Sequence, residues 1–322
     1  MSISLLLHVD IPPAFRLGFE QAGFSLVPML RENDRSPILP AGGVPGVQAV
    51  LTIGSIGLSA ADMAALPDLR MVCCQGVGFE KVDLQAARER GIAVTNGSGT
   101  NDTSVADHAM ALLASIVRDV ASLDRGVRRG IWQQARVTRP QLTGKRLGIL
   151  GLGNIGQKIA RRCAQGFDMT VAYHSRHVRQ DCDWLYCASV TELAQWADFL
   201  VVCTPGGGAT RHLVDRQVLA ALGPTGFLIN VARGSVVDNV ALAEGLQHGT
   251  IAGAALDVVE GEPAVPAALL ALDNIIITPH VGGRSPEAQE AMFSLVLENL
   301  TRYFSGRPVL TPVNALPAQP HG

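Results

Sequence analysis

The chain has 322 residues, of which 48% are hydrophobic and 17% are charged, and its formal net charge at pH 7 is -2. This length is typical of two domains of roughly 100–200 residues each, and the small net charge argues against a polyanionic partner such as nucleic acid. We find no secretory signal at the start and no run of the ~18 apolar residues that a membrane span needs. We therefore expect a soluble, cytoplasmic protein that binds small molecules.

Short apolar runs alternate with helical patterns along the whole chain, which is the rhythm of a parallel α/β fold. A first series of strand candidates covers residues 5–9, 49–53, 71–74 and 92–95. A second, denser series covers residues 146–150, 169–173, 199–203, 227–231, 252–257 and 275–278. We therefore predict two doubly wound parallel-sheet domains, one of them a Rossmann dinucleotide-binding domain, with a cleft between them.

Two helical patterns define the predicted domain limits. Apolar residues from Val105 to Val127, spaced by three or four, predict one long helix between the two series of strands. A last helix is predicted to begin at Ser285-Pro286 and to stop at Gly306, and we expect it to return to the first sheet. The predicted domains are a discontinuous substrate domain, residues 1–103 and 286–322, and a dinucleotide-binding domain, residues 104–285.

A glycine motif follows the strand at residues 146–150. Its glycines are Gly151, Gly153 and Gly156, and Asn154 and Ile155 complete the loop before a helical pattern. The first glycine permits a tight turn, the second lets the backbone approach a pyrophosphate, and the third lets helix and strand pack closely. Among 34 glycines such a motif alone also suits a simple turn, but its place between a strand and a helix favours dinucleotide binding.

The end of the next strand indicates which dinucleotide is bound. An acidic residue there would hold the ribose 2′-hydroxyl of NAD, but this chain has His174, Ser175 and Arg176 instead. A guanidinium at this place, with Arg179 as a second candidate, favours the 2′-phosphate of NADP, although these residues also suit a solvated loop. We predict NADP as the preferred cofactor and NAD as the alternative.

Three polar residues follow strands of the second series, where ligands bind in open parallel sheets. They are Arg233, Glu262 and His280. Reduction of a keto acid needs a guanidinium for the substrate, a proton donor for the new hydroxyl, and a carboxylate that favours the protonated donor and fixes its tautomer. Each residue alone also suits a surface or structural role, but together they predict a catalytic site with His280 as the acid/base. We assign no chemistry to the other histidines and no metal site.

Motifs between residues 72 and 313 resemble the D-isomer-specific 2-hydroxyacid dehydrogenase family. The matching segments are residues 148–156, 230–234, 237–238, 252–258, 261–263 and 278–283. The resemblance implies that Arg233 binds substrate, that Glu262 pairs with His280, and that His280 is the acid/base. It also implies further contacts in two sets. The residues implied to contact the cofactor, besides the glycine loop and the residues after it, are Thr204, Pro205, Ala232, Asp257 and Gly282, and Asp257 is implied to contact the nicotinamide carboxamide. The backbone implied to bind the substrate carboxylate is that of Gln75, Gly76, Val77 and Gly78.

Within that family, residues 173–176 and 129–132 are similar to the NADPH-preferring glyoxylate/hydroxypyruvate and hydroxyphenylpyruvate reductases. Trp132 either reaches a neighbouring subunit's substrate pocket or packs at the end of the long helix, and a homodimer is the expected assembly. The acid at Glu262 disfavours formate, because the related formate dehydrogenases have Gln there.

The predicted reaction is reduction of a small 2-keto acid to the D-2-hydroxy acid. Two alternatives stay open at this point. One is a dinucleotide-sensing, corepressor-like binding protein of the same fold, and the other is a phosphite or phosphoglycerate dehydrogenase.

Overall fold

The protein is described by a computed structural model that covers residues 2–29 and 43–314. The chain divides into two compact units, one formed by Met1–Asn101 with Ser285–Gly322 and the other by Asp102–Arg284. They are called the first and the second unit below. The limits expected from the sequence, at 103/104 and 285/286, fall close to these divisions.

The first unit is built on a five-stranded sheet whose strands all run parallel. In chain order the strands are β1 (Ile3–Leu7), β2 (Phe24–Pro28), β3 (Val47–Thr52), β4 (Met71–Cys74) and β5 (Ala93–Thr95). Their order across the sheet is β2-β1-β3-β4-β5.

The second unit is built on a seven-stranded parallel sheet. Its strands are β6 (Arg146–Leu150), β7 (Thr170–His174), β8 (Leu185–Tyr186), β9 (Phe199–Val202), β10 (Phe227–Asn230), β11 (Gly253–Leu256) and β12 (Ile275–Ile277). The order β12-β11-β10-β9-β6-β7-β8 reverses its direction between β6 and β9. Ligands of doubly wound sheets bind at such a switch point, and the predicted α/β fold is confirmed.

Helices connect the strands in both units. In chain order they are α1 (Pro13–Gln21), α2 (Ala60–Ala64), α3 (Leu84–Glu89), α4 (Asp102–Val117), α5 (Val120–Arg128), α6 (Asn154–Phe167), α7 (Val190–Trp196), α8 (Arg216–Leu222), α9 (Asn239–Gln247), α10 (Ala267–Leu270) and α11 (Pro286–Phe304). The predicted limits of α11 are confirmed, since Ser285 caps its start and Gly306, with φ of 73°, follows its end. In the described part of the chain, none of these helices has the length and apolar character required to span a membrane.

Both faces of the second sheet are covered, because alternate residues of a strand point to opposite faces. On one face, Leu200 of β9 and Leu228 of β10 pack with α7, α8 and α9. On the other face, Val201 and Ile229 pack with α4 and α6. All four side chains are fully buried, and each such burial contributes about 1.5–3 kcal/mol. This packing fixes the strand ends from which the candidate site is built.

The single long helix predicted between the two series of strands is wrong, because the structure has two helices there. α4 ends at Val117, α5 begins at Val120, and between them Asp119 has a left-handed φ of 55°. The Asp119 carboxylate accepts hydrogen bonds from Arg139 at 2.5 and 3.1 Å. The apolar spacing continues across this break, so the side-chain pattern does not reveal it.

Candidate active site

The carboxyl ends of β10, β11 and β12 lie side by side at one edge of the second sheet. The three strands are neighbours, and their parallel register pairs the last residues of one strand with those of the next. The segments that follow them carry Arg233, Glu262 and His280 respectively. The sheet therefore brings three segments that are distant in sequence to a common edge.

His280 and Glu262 are hydrogen-bonded, with His280 Nδ1 2.6 Å from Glu262 Oε1. The second carboxylate oxygen accepts the backbone N–H of Val259 at 3.2 Å. Partial burial acts to raise the pKa of Glu262, but the hydrogen bond and charge of His280, the Val259 amide and the charge of Arg233 together hold that pKa below its usual value. Glu262 is thus ionised at neutral pH. Because its hydrogen bond engages Nδ1 of His280, Nε2 is the ring nitrogen that can exchange a proton with a ligand.

Arg233 follows β10 in a turn shaped by the buried side chain of Asn230. The Asn230 amide donates to the carbonyl oxygen of Arg233 at 3.1 Å, and its oxygen accepts the N–H of Ala232 at 3.0 Å. The guanidinium donates from Nη1 to the carbonyl oxygen of Ala232 at 2.7 Å, and its charge contributes to the lowered pKa of Glu262. The structure thus groups the guanidinium, the carboxylate and the imidazole within the second unit.

Gly234 brings the Arg233 turn against the segment that carries Glu262. A Cβ atom at Gly234 would lie 2.0 Å from the carbonyl carbon of Val259 and 2.1 Å from the nitrogen of Glu260. We expect Gly234→Ala to force these backbones apart and to lower the free energy of unfolding by about 1–3 kcal/mol. Thermal unfolding measures the effect, with Gly166→Ala as the control because a Cβ atom there meets nothing within 4 Å. Equal melting temperatures for the two variants would contradict the prediction.

Asp257 is a buried carboxylate whose side chain is 4% exposed. It accepts the hydroxyl of Thr278 at 2.6 Å and the backbone N–H groups of Val281 and Gly282 at 3.0 and 2.8 Å. His108 Nε2 lies 3.2 Å from Asp257 Oδ1 and 2.9 Å from Thr278 Oγ1. The carboxylate predicted to meet a nicotinamide is therefore already bonded to several groups of the protein.

Sequence reasoning missed two members of this cluster, since it assigns no chemistry to His108 and no role to Thr278. His108 belongs to α4 and Thr278 follows β12, so their contact forms only when the helix packs on the sheet. The apolar pattern of α4 gives no signal that separates His108 from a surface residue.

The predicted phosphate loop joins β6 to α6. Gly151 has a φ of 96°, and a Cβ atom there would lie 2.7 Å from the nitrogen of Thr204. At Gly156 a Cβ atom would lie 2.4 Å from the carbonyl oxygen of Gly151, so helix and strand leave no room for a side chain. Gly153 and Asn154 are exposed at the N-terminus of α6, and a Cβ atom at Gly153 would meet nothing within 4 Å. This open helix N-terminus fits the phosphates of a dinucleotide.

The residues predicted to select NADP are His174, the last residue of β7, and Ser175 and Arg176, which follow it. His174 Nδ1 lies 2.9 Å from the carbonyl oxygen of Cys187, so this ring is bonded to the protein. The Ser175 hydroxyl donates to the carbonyl oxygen of His177 at 2.7 Å, and Arg176 is exposed. The segment thus presents an exposed guanidinium next to a hydroxyl.

Arg179, the second candidate for a 2′-phosphate, is paired with a carboxylate. Its Nη2 and Nε lie 2.5 and 2.8 Å from the two oxygens of Asp181, and its Nη1 donates to the carbonyl oxygen of Leu152 at 3.2 Å. Because Asp181 balances its charge, Arg179 is a weaker candidate for an anion than Arg176.

The predicted substrate loop, residues 75–78, follows β4 in the first unit. Asn96 Nδ2 donates to the carbonyl oxygen of Val77 at 2.7 Å, and the Gly97 N–H donates to the carbonyl oxygen of Gly76 at 2.8 Å. The segment after β5 therefore holds the loop in place from one side.

A row of exposed apolar side chains follows the course of α5 and the segment after it. Val127, Ile131, Trp132 and Val137 are between 43% and 59% exposed, with Trp132 the most exposed of the four. Trp132 is therefore more than half exposed, so most of its surface is not packed at the helix end. Where exposed apolar side chains form one patch, the surface is typical of a contact with another protein.

Comparison with known proteins identifies the family. A model of the NAD-binding domain of D-isomer specific 2-hydroxyacid dehydrogenases matches residues 110–282. A glyoxylate/hydroxypyruvate reductase A of Arabidopsis thaliana is 43% identical over 268 residues, which cover 83% of this chain and 85% of that one. A hydroxyphenylpyruvate reductase of Plectranthus scutellarioides is 42% identical over 83% of this chain and 85% of its own length.

Solved structures show the same relationship. The crystal structure of an NADPH-dependent glyoxylate/hydroxypyruvate reductase from Sinorhizobium meliloti, in complex with NADP and malonate, is similar to this chain with a TM-score of 0.90. The two chains are 37% identical, and the match covers 100% of each. Fold, motifs and relatives agree with the resemblance read from the sequence, and the chain belongs to the D-isomer-specific 2-hydroxyacid dehydrogenase family.

Proposed function

We propose that this protein reduces a small 2-keto acid to the D-2-hydroxy acid with NADPH. The observation that carries the proposal is the His280–Glu262 hydrogen bond of 2.6 Å, with the Arg233 guanidinium near enough to lower the pKa of the same carboxylate. A proton donor, its charged partner and an anion-binding group are what reduction of a keto acid requires. The named relatives include glyoxylate/hydroxypyruvate, hydroxyphenylpyruvate and 2-ketogluconate reductases.

The proposed roles follow from the chemistry of each group. Bound NADPH supplies the hydride to the keto carbon. Arg233 binds the substrate and stabilises the negative charge that grows on the keto oxygen, while protonated His280 delivers its Nε2 proton to that oxygen. Glu262 holds the resulting imidazole in one orientation through Nδ1. The substrate carboxylate is assigned to the backbone amides of residues 75–78, which makes the first unit the substrate domain.

The second unit is the proposed dinucleotide domain. The pyrophosphate is assigned to the exposed N-terminus of α6, and the nicotinamide end to the segments after β9, β10, β11 and β12. The proposed cofactor residues are Gly151, Gly153, Asn154, Ile155, Gly156, His174, Ser175, Arg176, Thr204, Pro205, Ala232, Asp257 and Gly282.

Arg176 tests the preference for NADPH over NADH. A hydrogen bond between a guanidinium and a phosphate contributes about 1.5–3 kcal/mol, so Arg176→Ala should raise the KM for NADPH about 10- to 100-fold. The KM for NADH should stay nearly unchanged, because NADH lacks the 2′-phosphate. Steady-state kinetics with both cofactors measures this, with Arg216→Ala as the control since Arg216 pairs with Glu244 on the surface. A parallel rise in both KM values would remove Arg176 from the 2′-phosphate site.

A spectrophotometric assay tests the proposed reaction itself. NADPH and NADH consumption is followed with glyoxylate, hydroxypyruvate, hydroxyphenylpyruvate and 2-ketogluconate, and the reverse reaction with phosphite, phosphoglycerate and formate. We expect turnover with at least one keto acid and faster turnover with NADPH. Tight NADPH binding without turnover of any substrate would instead favour a dinucleotide sensor.

A homodimer is the proposed assembly, formed through the exposed apolar row after α5. Placing a charge in that row should separate the subunits, so Ile131→Asp is expected to shift the molar mass measured by light scattering from dimer to monomer. Val240→Asp is the control, because Val240 is 66% exposed outside the row. A wild-type monomer would contradict this assembly.

The proposed cytoplasmic location agrees with the six free cysteines, which suit a reducing compartment.

A further inference from the structure

The catalytic histidine has an unusual backbone conformation. His280 has a φ of 54°, in the left-handed region that residues other than glycine rarely adopt. Such a conformation persists only where the surrounding structure determines it. The direction of the His280 side chain, and hence the place of Nε2, follows from whatever holds this turn.

Three successive backbone N–H groups of the turn donate hydrogen bonds to Asp257. The N–H of His280 donates to the Asp257 carbonyl oxygen at 2.9 Å, and those of Val281 and Gly282 donate to its carboxylate at 3.0 and 2.8 Å. A Cβ atom at Gly282 would lie only 2.9 Å from the same carboxylate. Asp257 is therefore the residue around which the turn is folded.

His108 of α4 and Thr278, which follows β12, add further hydrogen bonds to this cluster around Asp257. Thr278 Oγ1 has one proton, and it donates that proton at 2.6 Å to Asp257 Oδ1, an oxygen that also accepts the Val281 N–H. Thr278 must then accept from His108 Nε2 at 2.9 Å, so Nε2 of His108 carries a proton. The same N–H lies 3.2 Å from Asp257 Oδ1, which gives the carboxylate a further donor.

We propose that His108 is a positioning residue for His280, acting through Thr278 and Asp257. It links α4 to the end of β11 and to the turn after β12, and thereby fixes the left-handed backbone that aims Nε2 of His280 at the substrate. The inference rests on the proposed function, since it assigns His280 the proton transfer. It adds to the proposed contact of Asp257 with the nicotinamide, because it places the main effect of His108 and Thr278 on turnover and not on cofactor affinity.

Paired variants of His108 and Thr278 separate the hydrogen bonds from the packing. His108→Leu removes the N–H, whereas His108→Gln restores an N–H that can reach the position of Nε2. Thr278→Val removes the hydroxyl at nearly constant shape, whereas Thr278→Ser keeps it. Misplacement of a reacting group by about 1 Å can cost about 100-fold in rate, so we expect kcat to fall about 10- to 100-fold in the Leu and Val variants. The Gln and Ser variants should recover most of this loss.

The Kd for NADPH should change far less than kcat in all four variants, since neither substituted side chain is among the proposed cofactor residues. His248→Leu is the matched control, because the His248 ring is on the surface, with Nδ1 2.9 Å from the carbonyl oxygen of Glu244. Wild-type kcat in both His108→Leu and Thr278→Val would overturn the proposal. So would equal losses in the Val and Ser variants, or a loss that appears only as weaker NADPH binding.

A crystal structure of Thr278→Val keeps the test independent of the assigned reaction. We expect the turn at His280 to leave the left-handed region, or the Nδ1–Oε1 separation from Glu262 to exceed hydrogen-bonding distance. An unchanged turn and an unchanged His280–Glu262 pair would overturn the positioning role even if the kinetics were altered. If the wild-type protein reduces no keto acid, the proposed function fails, and this structure alone decides whether the cluster orients His280.

Discussion

Replacement of His280 by alanine is expected to lower kcat by about 10²–10⁴-fold, which is the typical contribution of a general acid or base. The ring is held through Nδ1 by Glu262, so Nε2 is the atom that delivers the proton in the proposed reaction. Loss of the imidazole leaves the keto oxygen without its donor while the phosphate loop at β6 and α6 stays intact. Steady-state kinetics with NADPH and the best keto acid measures the effect.

Cofactor binding separates this catalytic effect from a folding defect. Fluorescence titration of His280→Ala should give a Kd for NADPH close to that of the wild-type protein, because the imidazole is not part of the proposed dinucleotide site. His248→Ala removes a surface imidazole and should leave both quantities unchanged. Turnover of His280→Ala at the wild-type rate would exclude His280 from proton transfer and leave the family's reaction to another donor.

The position of the candidate site could be predicted because strand ends are visible in sequence. Short apolar runs that stop at a polar residue mark the carboxyl ends of parallel strands, and Arg233, Glu262 and His280 all follow such runs. Parallel neighbours place these ends at one edge, and the structure brings His280 and Glu262 within 2.6 Å of each other. Their catalytic roles remain predictions.

Other features could not be predicted because they depend on the backbone or on tertiary packing. β2 and β8 were missed, since Phe24–Pro28 ends in proline and Leu185–Tyr186 has two residues, too short for an alternating pattern. The break at Asp119 leaves the apolar spacing intact, and the role of Arg179 changes only once its pairing with Asp181 is known. Local patterns thus locate the strands, while contacts between distant side chains need the folded structure.

Arg233→Gln is expected to lower kcat/KM for the keto acid by about 10²–10³-fold, comparable to the loss of one oxyanion-stabilising donor. A guanidinium offers planar paired donors and a permanent charge to the carbonyl and carboxylate of a 2-keto acid. Glutamine retains neither the charge nor the paired geometry. The substitution should not strain the fold, because Arg233 has an ordinary extended backbone with φ of -141° and ψ of 148°. The loss should therefore appear in catalysis without a matching loss of stability.

Arg233→Lys distinguishes the charge from the geometry. Lysine keeps the positive charge near Glu262 but donates as a point charge, so we expect kcat/KM between those of the wild-type and Gln variants. Arg216→Gln, on the surface, is the control and should leave kcat/KM unchanged. If Lys restored full activity, charge alone would explain the role of Arg233. If Gln were as active as the wild type, Arg233 would have no part in binding the substrate.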